Sequence, residues 1–144
     1  MTGMSTKKEN ELINNTRDVY NFKFNHIFDM DAKQEQVFQG VAVDVLESAF
    51  EGFNGTIFAY GQTGSGKTYT MTGPAERYRD RGIIPRSISY VYDYVKQHTE
   101  NSFEIKISYI EIYNNVGFDL LSEDHTYKEL EDLPKVKCVE YNGV

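Results

Sequence analysis

The sequence predicts an α/β fold, a sheet with helices packed on its faces, and three observations carry that prediction. Short apolar segments alternate with stretches of helical period in the order strand, helix, strand, loop, helix, strand. One helical stretch bears a wide apolar stripe that needs another element to cover it. A glycine-rich loop follows the second strand and leads into a helix-compatible segment. No repeat or internal linker divides the chain. Residues 19–144 therefore read as one domain, preceded by a polar, mobile tail over residues 1–18.

Each element has its own warrant. The tail carries Lys7, Lys8, Glu9, Asn10 and Glu11 without an apolar period. Residues 19–24 alternate, with Tyr20, Phe22 and Phe24 on one face, which predicts a half-buried strand. After the turn Asp29-Met30-Asp31, Val37, Val41 and Val45 form one apolar row. Phe38, Ala42, Leu46 and Phe50 form its neighbour, and together they predict a single helix. Asp31 reads as its N-cap, Gln34 as the capping-box partner, Gly52 as its end, and Asp44 as solvated. Residues 55–60 read as a buried strand between glycines.

A polar loop with Pro74 comes next. Pro85 then suits the first turn of a second helix, with Ile88, Val91, Tyr92 and Val95 on its core face. Phe103, Ile105, Ile107 and Tyr109 alternate with Glu104, Lys106 and Ser108 as a strand. Ile110 and Ile112 change that phase, which predicts a bulge or burial of both faces. Residues 114–121 read as turn-like, and residues 135–141 as a last strand. Asp119, Glu123, Asp124, Glu129, Glu131 and Asp132 outweigh Lys128 in what reads as a solvated acidic loop.

Composition excludes several classes. The 144 residues hold 15 Lys plus Arg against 22 Asp plus Glu, a formal charge of −7. That balance argues against nucleic acid, and against any polyanion, as the main partner. The single Cys138 cannot form an internal disulfide and points to a reducing compartment. No run approaches the roughly 18 consecutive apolar residues of a membrane helix, and residues 1–16 lack a signal-peptide core, so no membrane partner is expected. His26, His98 and His125 show no metal-ligand spacing with one another or with Cys138. No nucleophile elbow of the Gly-x-Ser-x-Gly kind precedes a helix.

The chemistry sits in Gly61-Gln62-Thr63-Gly64-Ser65-Gly66-Lys67-Thr68, which fits Gly-x-x-x-x-Gly-Lys-Thr. Glycines let backbone N–H groups turn inward around phosphate oxygens, and the following helix offers its free N–H groups. Lys67 would reach the β/γ-phosphates, and the Thr68 hydroxyl would coordinate Mg²⁺. A metal-dependent hydrolase also needs a second acid. The local candidate, Glu111, reads as an ordinary polar position on a long strand, and no catalytic residue is assigned. Arg77, Arg79, Arg81 and Arg86 flank the polar loop, where a solvated charge cluster accounts for them as well as a phosphate contact does.

Residues 53–73, from Phe53-Asn54-Gly55-Thr56 through the phosphate loop to Tyr69-Thr70-Met71-Thr72-Gly73, resemble the same region of the kinesin motor domain. Gly82-Ile83-Ile84-Pro85-Arg86, Ser108-Tyr109-Ile110-Glu111-Ile112-Tyr113-Asn114 and Asp119-Leu120-Leu121 match further motifs of that family in order. So does Phe28-Asp29 with Gln34 and Val37-Phe38, and the resemblance runs over residues 20–133. It implies a P-loop NTPase-type three-layer sandwich with a central mixed sheet, incomplete in this chain. It also implies ATP with Mg²⁺ as ligand, Tyr69 against the adenine, and microtubules (tubulin) as track. Location would be cytoplasmic and cytoskeletal. Residues 75–78 and 130–136 are most similar to the subfamily of cilia and flagella.

The departures shape the functional expectation. No Arg-x-Arg-Pro strand precedes Tyr20, and neither switch motif, Asn-x-x-Ser-Ser-Arg-Ser-His or Asp-Leu-Ala-Gly-x-Glu, occurs. Asn115 stands where the family usually has Glu. The chain thus reads as less than half of a motor domain. Three readings follow: a kinesin-type microtubule motor ATPase represented by its ATP-binding portion, a truncated non-motile fragment that binds nucleotide weakly or acts by interaction, and a P-loop kinase. The kinase has neither a lid segment nor a second acid in its favour. Microtubule surfaces are acidic, so a −7 chain is by itself a poor surface for that track. Whether the chain hydrolyses ATP, and its oligomeric state, are not legible here.

Overall fold

The apolar stripe expected over residues 37–50 forms two helices, α1 (Gln34–Val41) and α2 (Val43–Phe50), jointed at Ala42. The joint is slight. Ala42 N–H still donates to Phe38 O at 2.8 Å, and Ala42 O accepts from Leu46 N–H at 3.0 Å. In this computed structural model, which describes residues 19–122 and 129–137, the chain divides into two units, Met1–Tyr94 and Val95–Val144. The tail over residues 1–18, the acidic positions Glu123 and Asp124 with His125 and Lys128, and the end of the last expected strand with Cys138 lie outside the described residues.

In the first unit, of the two apolar rows the one headed by Phe38 faces inward. Phe38 and Ala42 are 4% and 0% exposed and form the core with Ile83. Val37, Val43, Leu46, Ile57, Met71 and Tyr90 pack around them. Helix α1 starts later than expected: Lys33, not Asp31, is the cap residue, and its N–H donates to Gln36 Oε1 at 2.7 Å. Gln34 does not fill the capping role because its side chain is drawn into the protein. Gly52, at φ +97°, follows the end of α2 as expected.

Two expected strands of this unit, residues 19–24 and 55–60, form no strand and join no ladder among the described residues. A strand is completed by a neighbour, which its own alternation cannot supply. Ile57 alone of its segment packs on the core. After α3 (Lys67–Met71), the long helix α4 (Ile83–Gln97) presents a face other than the one expected. Ile88 and Tyr92 are exposed, whereas Ile83 is buried. Tyr94 stacks on Phe50 with ring centroids 3.7 Å apart. Tyr90 meets Phe38 edge-on, and its hydroxyl donates to Glu47 Oε1 at 2.5 Å. That hydrogen bond, then burial, then the Glu47 charge raise the Tyr90 pKa. The aromatic rings reach further than the aliphatic row, so they set which face of α4 meets α1 and α2.

The second unit holds an antiparallel sheet in the order β1 (Ile110–Tyr113), β2 (Val116–Asp119), β3 (Lys135–Val136). The β1–β2 register is unbroken from Ile110↔Asp119 to Tyr113↔Val116, so the expected bulge is absent. Burial of both faces is absent too, since Ile110 and Ile112 are exposed. The stretch expected as turn-like contains a strand, because the turn is confined to Asn114 and Asn115, at φ +48° and +62°. Two consecutive left-handed residues make the tight hairpin turn that Asn favours, a backbone reason for Asn at 115. Residues 103–109, expected as a strand, do not form one; Tyr109 O accepts from Leu120 N–H at 2.9 Å, and the continuation of the segment forms β1.

Candidate functional site

Residues 61–66 follow the irregular segment 55–60 and enter α3 at Lys67. Gly64 and Gly66 lie at φ +80° and +92°, where an L side chain is strained. Nothing stands within 4 Å of a Cβ built on either one, so the space in front of the loop is open. The requirement for glycine is conformational. Ser65 N–H donates to Gln62 O at 3.2 Å and closes the turn. The Lys67 ammonium donates to Gly61 O at 2.9 Å and Gln62 O at 2.8 Å, which holds its charge at the mouth of the loop.

Thr63 and Thr68 are exposed, and the Thr68 carbonyl accepts from Thr72 and Gly73 N–H at 2.8 and 3.1 Å. Helix α3 spans only 5 residues, so its dipole adds little and the loop amides with Lys67 supply the positive field. These residues fit a phosphate group and a hydroxyl-ligated cation. Of the expected site, residues 61–68 come together at one loop. Tyr69 lies one residue further along α3 with its ring half-exposed. It borders a groove of about 730 Å³ that Lys33, Arg77 and Tyr78 also line.

A second loop, residues 73–82, leaves the end of α3 and returns to α4. Its neck is closed by Gly82 N–H donating to Thr72 O at 2.9 Å. Gly73, at φ +68°, is pressed so close that a Cβ would collide with the Asp80 carbonyl and stand 2.7 Å from Gly82 N. Arg86 holds the loop: Nε donates to Arg81 O at 2.8 Å, Nη2 to Arg79 O at 3.0 Å, and Nη1 pairs with Glu35. Its side chain is only 10% exposed. Both sequence alternatives for Arg86, a solvated charge and a phosphate contact, give way to a structural staple. Arg81 lies over the Tyr78 ring at 5.3 Å. Glu111 is exposed on β1, opposite Phe118 in register.

Gln34 was missed as a site-shaping residue. It is 6% exposed, and its Nε2 donates to Tyr69 O at 2.6 Å and Asp80 O at 3.1 Å. A signal existed: Gln34 heads the inward row that continues through Phe38 and Ala42, where a polar side chain needs a partner.

A left-handed glycine loop with an adjoining lysine and threonine, leading directly into a helix, defines the class of P-loop proteins. The kinesin motor domain family matches residues 2–141, and the chain belongs to that family. Human kinesin-like protein KIF9 is 44% identical over 111 residues, 77% of this chain and 14% of that protein. The crystal structure of the Drosophila kinesin family member NOD in complex with AMPPNP aligns with a TM-score of 0.63 and 37% identity. That alignment covers 71% of this chain and 36% of the NOD chain. NOD docked with bovine tubulin into a map of the nucleotide-free NOD–microtubule complex aligns with a TM-score of 0.63 and 31% identity, over 82% of this chain and 44% of the other. The fold is therefore that of the P-loop NTPase sandwich, of which the described helices and antiparallel sheet are a part. Nucleotide binding is a property of this family. The chain spans about 14% of KIF9, far less than its relatives' full length.

Proposed function

We propose that residues 61–68 bind the phosphates of ATP with Mg²⁺, and that the chain is the nucleotide-binding portion of a microtubule motor ATPase. The backbone N–H groups of Gly61, Gln62, Thr63, Gly64, Ser65 and Gly66 form the cradle. Lys67 supplies the charge, Thr68 a hydroxyl ligand for Mg²⁺, and Tyr69 a ring against the adenine. A bound Mg²⁺ offsets negative charge on the β- and γ-phosphates. One observation carries the reading most: left-handed Gly64 and Gly66 open the loop directly beside the Lys67 ammonium. The flexible four-carbon stem of Lys67 lets that ammonium turn from two carbonyls to a phosphate oxygen.

The track reading rests on the family and on the tubulin named in the NOD assembly. Location follows as cytoskeletal, and residues 75–78 and 130–136 favour a cilium or flagellum. Within the 144 residues no water-positioning switch motif is found, and Glu111, the local candidate for a second acid, is exposed on β1. The proposal for the chain itself is therefore nucleotide binding, with hydrolysis no faster than background. A fluorescent ADP titration with Mg²⁺ tests it: Lys67→Ala should weaken binding by about 100-fold or more, the equivalent of two charge-assisted contacts. Equal affinity of the variant, or no binding by the unmodified chain, overturns the phosphate-loop reading. A microtubule-stimulated ATPase of the chain alone, abolished by Lys67→Ala, overturns the limit to binding.

A further inference from the structure

We infer that Gln34 is a positioning residue that ties the base side of the nucleotide site to the loop over residues 73–82. The inference rests on the proposed binding of nucleotide at residues 61–68 with Tyr69 against the base. Gln34 is buried at the start of α1, and its Nε2 spends both N–H groups on backbone carbonyls of two other segments, those of Tyr69 at 2.6 Å and Asp80 at 3.1 Å. These carbonyls lie 35 and 46 residues away in sequence. One amide thus fixes both the position of the Tyr69 backbone, which aims its ring, and the end of the second loop. Its neighbour Glu35 pairs with Arg86, which binds Arg79 O and Arg81 O. The first turn of α1 therefore holds residues 79–81 by two routes, directly through Gln34 and through Glu35 by way of Arg86, and Gln34 also holds α3 at the Tyr69 carbonyl.

The expected consequence is selective. Contacts to phosphate come from residues 61–68, to which Gln34 donates no hydrogen bond among the described residues; contacts to the base pass through Tyr69. Two probes separate these on the full chain: ADP, which has a base, and inorganic tripolyphosphate, which has none. Gln34→Leu removes both donors and keeps most of the volume. It should weaken ADP about tenfold, the scale of one or two buried hydrogen bonds, while leaving tripolyphosphate within about twofold. Gln34→Glu, which sets carboxylate oxygens against two carbonyls, should show the same split. In the unmodified chain, ADP should slow hydrogen exchange at the N–H groups of Arg81 and Gly82, and tripolyphosphate should not. In Gln34→Leu that ADP protection should vanish. Equal weakening of both probes, unchanged ADP affinity, or ADP protection that persists in Gln34→Leu each overturns the inference. Failure of the unmodified chain to bind ADP would instead overturn the underlying phosphate-loop reading.

Discussion

Residues 61–66 and residues 73–82 are both glycine-bounded loops at the two ends of α3, yet their shapes have different origins. The first is shaped by its own residues: left-handed Gly64 and Gly66, and a turn from Ser65 N–H to Gln62 O. The second is shaped from outside, by Gln34, Glu35 and Arg86, and by a neck so tight that Gly73 has no room for a Cβ. Apart from the Ser65 N–H, the amides of the first loop donate no hydrogen bond among the described residues, whereas the second loop spends its carbonyls on side chains of the fold. An open loop and a held loop can thus share a glycine content and differ in what their backbones are free to do.

Substitutions can break this contrast in a defined order. Gly73→Ala should have the largest effect, because a methyl group would meet both an unfavourable φ and the Asp80 carbonyl; a loss of about 3 kcal/mol or more is expected in denaturant unfolding. A loss within about 0.5 kcal/mol would show that the neck is not tight. Arg86→Ala comes next. It frees the carbonyls of Arg79 and Arg81 and should cost about 2 kcal/mol, with faster exchange confined to residues 77–82. Its affinity for inorganic tripolyphosphate should stay unchanged, and a matched loss there would merge the two loops into one unit. Gly66→Ala should cost least in stability, about 1 kcal/mol, since a left-handed φ is strained but no atom blocks the methyl group. Its tripolyphosphate binding should nevertheless fall. The variant that costs least in stability, Gly66→Ala, should therefore lose tripolyphosphate binding, while Arg86→Ala, which costs more, should keep it.

The same contrast explains what was legible in the sequence. The loop at residues 61–68 could be read because glycine, lysine and threonine act there through local backbone geometry. The row Phe38, Ala42, Leu46 could be read because a helix repeats on itself. The outward turn of Ile88 and Tyr92 could not, since α4 chooses its face by what Phe38, Phe50 and Glu47 offer to Tyr90 and Tyr94. Residues 103–109 alternate as a strand should, and yet the ladder with β2 runs over Ile110–Tyr113, with one further hydrogen bond from Leu120 N–H to Tyr109 O, because that is as far as β2 supplies a partner. Arg86 looked like one charge in a cluster because nothing local distinguishes a solvated guanidinium from one that binds three groups.

The sequence by itself determined the left-handed glycine loop at residues 61–68, the helical stripe and membership of the kinesin family, all written in spacings of a few residues. Tertiary structure alone decided the roles of Gln34 and Arg86, the covered face of α4 and which extended segments pair. The physical reason is range. Backbone torsions and helical period are fixed by neighbours in the chain, whereas a donor such as Gln34 acquires its meaning only when folding brings Tyr69 and Asp80 to it.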